Sequence, residues 1–461
     1  MKPGIFALRN SYVDSVVRFQ ILIFSLMSCL ILSVFQNTYA ESLNLQNKHP
    51  AQEEKSKNSK QEEKGGLVAN VVRMLFKEHQ AEVFGSVHTI NALPISYFDF
   101  RTGLNLGFRT LILSKRKNPY LYRLTLQVIA SLKGSHKHKL IFDYPYIGGS
   151  SYGLMVQAEW ERDLEARYFG LGNNSVNSDD ITDTESPNFV DEDFYLYNLK
   201  RPRVTVYGIR EILPDVYFWL GLGIEKVKPQ LKKGPETSFL AQDRPFGHLG
   251  GANRHLSFRL SWDTRTSEVF PVQGFLTEFT FEPNFATVNV EIEGPKGVQT
   301  SSRIVSYYRY TFSDAHFIPI HSNRLIFANR MAFEAIAGKA PYYAFGEIAG
   351  QRRTRSLGGS QSLRGFQSRR FQDKIRFFTL TELRYRFKSF DLTTQSFDLI
   401  FIVFFDSGRV WNRFTDISFD NFHRTFGAGF WLKWNNNLII RLDIGRSREE
   451  VIPFFRLNSA F

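Results

Sequence analysis

The residues best placed for chemistry in this chain are acidic side chains bound for a confined space and arginines able to reach them. Asp406 lies in the run Phe404-Phe405-Asp406-Ser407-Gly408, and Glu382 in an earlier segment of alternating charge. An ionised carboxylate removed from water is costly unless it is paired. A forked guanidinium is the side chain best shaped to hold one or two of them. Between strand-like runs sits Leu357–Arg370, LGGSQSLRGFQSRR, dense in glycine and basic residues with one well-placed Phe. It reads as an ordered loop folded back on the strands, and Gly358, Gly359 and Gly365 would permit the tight backbone path this requires.

Other spacings carry less. Asp179, Asp180, Asp183, Glu185, Asp191, Glu192 and Asp193 crowd one interval and raise the question of calcium, but their spacing fits no EF-hand, and a solvated acidic loop accounts for them better. His136 and His138 offer two imidazoles on one strand face, but no third ligand is in view, and Lys133, Lys137 and Lys139 would repel a cation. Asp263 with Arg265, and Asp99 with Arg101, read as lumenal or turn ion pairs. No G-x-S-x-G, H-E-x-x-H or P-loop pattern occurs, so neither enzymatic chemistry nor a cofactor is expected.

The elements that must position these residues are strands. Ile375, Phe377, Leu383, Tyr385 and Phe387 share one face of their segment, and Lys374, Arg376, Glu382, Arg384 and Arg386 the other. Leu438, Ile440, Leu442 and Ile444 oppose Arg441, Asp443 and Gly445 in the same way. High aromatic content, 45 Phe and 19 Tyr, with a mean hydropathy of −0.25 fits many strands that are apolar towards lipid and polar towards a lumen. The net charge of +13 comes without a nucleic-acid module, so a polar lumen and an anionic membrane surface explain it better than nucleic acid does.

The first forty residues read as an export signal: Lys2, Arg9 and Arg18, an apolar run from Ile21 to Phe35, then Thr38-Tyr39-Ala40 for cleavage. That run is short for a membrane span, and Cys29 as a lipoprotein site is disfavoured because apolar residues continue beyond it. Cys29 is the single cysteine, so intrachain disulfides are excluded. Residues 41–80 read as a disordered, mostly polar periplasmic leader, with Val68–Lys77 either one short amphipathic helix or more linker, and residues 81–461 as the barrel.

Counting backwards from Phe461 gives fifteen strands between 98 and 461, and even parity asks for one more, which only Glu82–Ala92 can supply. The expectation is a sixteen-stranded antiparallel transmembrane β-barrel in the bacterial outer membrane. The long intervals 165–190, 230–254, 286–300, 339–372 and 412–420 then all fall on the external side. Phe455, Leu457 and Phe461 share a face, as in the C-terminal assembly signal of such barrels, with Ser459 as a departure.

Four strings together carry a family resemblance. Leu363-Arg364-Gly365-Phe366 resembles the [V/L]-R-G-[F/Y] signature of the sixth external loop of the BamA/TamA superfamily. Phe404, Asp406 and Gly408 resemble its F-x-D-x-G strand pattern, and Trp262-Asp263-Thr264-Arg265 with Phe270-Pro271 and Gly274 its Y-D-T-R-D hairpin. Tyr168-Phe169-Gly170-Leu171-Gly172-Asn173 is similar to the F-Y-G-x-G-N stretch of barrel-only members.

The resemblance implies that the loop folds into the lumen and delivers Arg364 to Asp406 first and Glu382 second. It implies a role in outer-membrane protein or lipid biogenesis or translocation. Implied partners are outer-membrane lipid and lipopolysaccharide, the barrel-assembly machinery during insertion, and a separate periplasmic protein. Members that insert or translocate proteins carry POTRA domains, for which residues 41–80 leave no room, so a pore or structural surface antigen is the competing expectation.

Overall fold

The computed structural model describes residues 79–457 apart from 84–85, 100–101, 115–119, 176, 295–296, 351–353, 393–394 and 436–437. The export signal, the leader with its short helix, and Phe461 lie outside the described residues.

The alternating pattern becomes strands throughout. A short β1 (His79–Val83) turns back into β2 (Ser86–Asp99), followed by β3 (Gly103–Ser114), β4 (Arg123–Ser131) and β5 (His136–Tyr144). Next come β6 (Tyr152–Arg167), β7 (Leu196–Leu213), β8 (Val216–Leu231) and β9 (Gly251–Asp263). After them run β10 (Gly274–Gly294), β11 (Gly297–His321) and β12 (Leu325–Gly338). A two-residue pair, β13 (Glu347–Ile348) and β14 (Thr354–Arg355), forms a hairpin of its own. The wall resumes with β15 (Ile375–Leu392), β16 (Gln395–Trp411), β17 (His423–Trp434), β18 (Leu438–Arg446) and β19 (Val451–Leu457). β9 bonds to β10, β12 to β15, and β19 lies beside β2, so β2–β12 and β15–β19 make the expected sixteen-stranded antiparallel barrel.

The two faces of the wall are chemically opposite. On β15 and β16, Leu383, Tyr385, Val403 and Phe405 are exposed while Glu382, Arg384, Ile402 and Asp406 are buried. Apolar side chains outside and charged ones inside reverse the arrangement of a soluble protein and match a wall between lipid and a polar lumen. Register places the site: Glu382 pairs with Phe404, Leu380 with Asp406, and Asp406 with Thr425. Both acids therefore stand on neighbouring strands and face the same lumen.

Two expectations need correction. The first strand is not Glu82–Ala92 but β2, and the following strand begins at Gly103 rather than 98, because Gly103 takes a positive φ of 76° at the turn. The extra strand β1 pairs with β2 on the edge opposite β3. The interval 286–300 is not a long loop. β10 and β11 continue to Gly294 and Gly297, whereas pairing with β9 stops at Val288 and with β12 at Tyr307, so this hairpin projects beyond its neighbours. Thr287, Val288, Val290 and Ile292, β-branched and alternating with polar residues, favour continued extension.

Candidate functional site in the lumen

The connection between β12 and β15 folds into the barrel. Its inner segment is pinned by an antiparallel bridge between Leu357 and Phe371 and by Ser362, whose Oγ accepts the Gly358 N–H at 2.9 Å. Leu357, Leu363, Phe366 and Phe371 are fully buried against Ala315, Phe317, Phe378 and Leu380 of the wall, so burial of apolar side chains seats the loop. Gly365 has φ 115°, and a Cβ there would lie 2.8 Å from the Arg446 carbonyl carbon. Gly445 gives way from the other side: a Cβ on it would stand 2.5 Å from the Arg364 carbonyl oxygen.

That backbone path delivers Arg364 to both predicted acids. Its Nε and Nη2 donate to the two oxygens of Asp406 at 2.8 and 2.6 Å, its backbone N–H reaches Asp406 Oδ2 at 3.0 Å, and Nη1 donates to Glu382 Oε1 at 2.5 Å. All three residues are fully buried. The guanidinium also lies 3.6 Å from the centre of the Phe404 ring. Burial opposes the charge on Arg364, but Asp406 and then Glu382 outweigh it and raise its pKa above the ordinary arginine value. Gly408 leaves room for Leu357. Of the residues read from sequence as the lock and its partners, Leu363, Arg364, Gly365, Phe366, Phe404, Asp406, Gly408 and Glu382 are therefore brought together.

The sequence put Arg384, Arg441 and Asp443 on the polar face but did not give their partners. Arg384 Nε donates to Glu382 Oε2 at 2.8 Å, Arg441 pairs with Asp443, and Trp431 Nε1 donates to Asp443 Oδ1 at 2.8 Å. The turn between β9 and β10 also enters the lumen, placing Phe270 among Ile326, Ile400, Ile402, Trp431 and Ile439. The signal was present: Val269-Phe270-Pro271-Val272 is an apolar run inside a turn. The other end of the loop is held too, since Glu347 pairs with Arg201 at 3.2 Å and Arg203 at 2.6 Å, and Arg355 with Glu161 at 3.0 Å.

Of the remaining sequence candidates, the Asp99–Arg101 pair lies outside the described residues. Within the Tyr168–Asn173 stretch, Gly172 N–H donates to the Gln372 carbonyl at 2.8 Å and Asn173 Nδ2 to the Val410 carbonyl at 2.6 Å, so it clasps the loop exit and the end of β16. Arg370 ties the same loop to Glu449 at 2.8 Å. Asp263 and Arg265 form the expected turn pair at 2.7 Å. Phe455 and Leu457 sit in β19 opposite Leu442 and Ile440. Asp191 is taken by Lys233 at 2.7 Å, the rings of His136 and His138 stack 4.9 Å apart, and no group of three metal-ligating side chains is present among the described residues.

No curated protein sequence matches the chain. Among solved structures it is similar to BamA from Haemophilus ducreyi lacking POTRA domains 1-3, at 14% identity and a TM-score of 0.49, over 85% of this chain and 77% of that one. Residues 134–447 match the Omp85 superfamily domain, a span that runs from β5 to β18 and contains the loop, Arg364 and both of its acids. The chain belongs to the Omp85 superfamily.

Proposed function

We propose that this barrel resides in the bacterial outer membrane and serves there, without enzymatic chemistry, in the assembly or translocation of proteins or lipids. Family membership supports the class of role. The observation that carries the reading is the lumenal lock: Arg364 is fully buried between Asp406 and Glu382, which a freely conducting pore does not need. Its environment would be lipid and lipopolysaccharide, its own insertion would use the barrel-assembly machinery, and a separate periplasmic protein would supply cargo. The alternative, a pore or surface antigen, is separated by one experiment on a deletion strain complemented with wild type or Arg364→Ala. Loss of particular outer-membrane proteins or lipids on deletion, not restored by Arg364→Ala, is expected. Unchanged outer-membrane composition together with large, steady conductance of the purified barrel in planar bilayers would replace this reading with a pore.

A further inference from the structure

We propose that the outer face of β5–β8 carries, at its external rim, a binding site for a glycolipid headgroup bearing two phosphates, the lipid A part of lipopolysaccharide. The site rests on the outer-membrane residence proposed above and is independent of what the barrel assembles or translocates. Period two turns the even-numbered residues of these strands outward: Trp160, Val204 and Ile224 are exposed, whereas Glu161, Arg201 and Val227 are buried. Near the external end of that face, His136 pairs with Arg162, Arg162 with Lys200, and Lys200 with Lys228. Three permanent cations and one imidazole therefore stand in a single row across four strands. Like charges directly opposite one another destabilise a sheet.

Nothing on the same face offsets the row. The even-numbered positions of 136–144, 152–164, 196–212 and 216–230 hold no Asp or Glu. The inward face of these strands is mixed instead, with Lys137 on Glu159 at 2.9 Å and Arg201 on Glu225 at 2.9 Å. Just beyond the row, Glu165 and Asp193 are both held by Lys232, at 3.0 and 3.2 Å. Arg162, Lys200 and Lys228 make no ion pair among the described residues, and Arg162 Nε is buried without a hydrogen-bond partner.

A single cation at a membrane rim reaches water by extending its stem, but cations in register crowd the same water and repel. Phosphate laid across them removes the repulsion and adds charge-assisted hydrogen bonds. With neighbouring strands about 4.8 Å apart, the row spans roughly 14 Å from β5 to β8. That width exceeds the reach of one phosphate and suits a headgroup with two. Lys226 and Arg254, both exposed, carry the patch towards β9, opposite Ala252 and Ile224. Below the row the wall turns apolar, with Leu222 62% and Ile224 61% exposed. A protein or nucleic-acid partner would have to lie on that apolar band, whereas one lipid molecule presents phosphates to the row and acyl chains to the wall beneath it.

The test uses the full chain refolded in lipid-free detergent and titrated with bisphosphorylated lipid A, monophosphorylated lipid A, phosphatidylglycerol or inorganic phosphate. Native mass spectrometry reads the bound lipid, and gel mobility reads the thermal midpoint, which ligand binding to the folded state raises in a saturable way. Bisphosphorylated lipid A is expected to bind saturably and raise the midpoint, the other two lipids to bind about tenfold more weakly, and inorganic phosphate to have no effect. The double variant Lys200→Gln, Lys228→Gln should lose about tenfold in affinity for lipid A, while Lys388→Gln at the opposite rim should bind as wild type does. Without lipid, the double variant should melt no lower than wild type, because it relieves repulsion, and this separates lost binding from lost folding. Equal wild-type midpoints with and without lipid A overturn the proposal, as does unchanged affinity in the double variant. Phosphatidylglycerol as effective as lipid A overturns the two-phosphate site, and lower melting of the lipid-free double variant overturns the repulsion it rests on. Membrane fractionation of the producing strain reads residence separately, so failure to bind by a barrel found in the outer membrane counts against the site alone.

Discussion

Arg384 holds Glu382 by its Oε2 oxygen, at 2.8 Å from Nε, and leaves Oε1 for the loop arginine. Glu382 is therefore shared between wall and loop, whereas Asp406 gives both oxygens to Arg364 and takes its backbone N–H as well. The two acids are not equivalent. Asp406→Asn should unlock the loop selectively, seen as protease cleavage within residues 357–371 while the barrel still migrates as folded. Glu382→Gln should lower the unfolding temperature of the barrel itself, because it removes the carboxylate charge that Arg364 and Arg384 share. Equal effects of the two substitutions on both readouts would show that the division between loop and wall is wrong.

Arg364 should not be replaceable by lysine. The fork reaches two carboxylates at once, and an ammonium offers a point charge without that planar geometry. Removing one partner of a buried pair costs about 3–5 kcal/mol because the others are left uncompensated. Arg364→Ala is expected to lose stability of that order, with Arg364→Lys between it and wild type. Urea unfolding in lipid vesicles measures both, and full stability of Arg364→Lys would remove the case for a bidentate lock.

Much of this site was legible at period two. The alternation that turned Leu383 and Tyr385 outward turned Glu382 inward, and the same parity put Asp406 in the lumen one strand away. Loop lengths placed Leu357–Arg370 on the side from which an arginine can enter. What local pattern does not encode is distance along the strand axis and contact across the lumen. The extension of β10 and β11 past Val288 and Tyr307 continues an alternation that looks the same in lipid and in water. Likewise Glu347 gives no sign in sequence of its partners Arg201 and Arg203, which lie on a strand far away in the chain.

Glycine positions offer a graded test of how tightly the loop is seated. Gly297 and Gly365 both have positive φ, 93° and 115°, so alanine is strained at either. At Gly297 a Cβ meets nothing within 4 Å, whereas at Gly365 it would press on the Arg446 backbone at 2.8 Å. Gly297→Ala should therefore cost about 1 kcal/mol of backbone strain and leave the lumen untouched. Gly365→Ala should cost more and expose the loop to protease, since backbone on β18 cannot step aside as a flexible side chain would. Indistinguishable melting and proteolysis of the two variants would mean that the loop is not packed against β18 in solution.

The turn between β9 and β10 should be energetically coupled to the external loop, although they enter the lumen from opposite ends. The Arg384 guanidinium that holds Glu382 also lies 5.7 Å from the centre of the Phe270 ring and 5.0 Å from that of Trp431. Phe270 is buried among Ile400, Ile402 and Ile439, and its truncation to alanine should cost about 3–5 kcal/mol by the usual cavity penalty. With Phe270 gone, Arg384 loses a wall, and the geometry of Glu382 towards Arg364 loosens with it. A double-mutant cycle of Phe270→Ala and Arg364→Ala measures this, by unfolding free energy and by loop proteolysis. Residues that share a network typically show interaction energies of about 0.5–3 kcal/mol, whereas independent sites add to within about 0.5 kcal/mol. Coupling in the first range would make Arg384 and Glu382 the link between the two inward-folded segments, and additivity would make them separate plugs that happen to share a lumen.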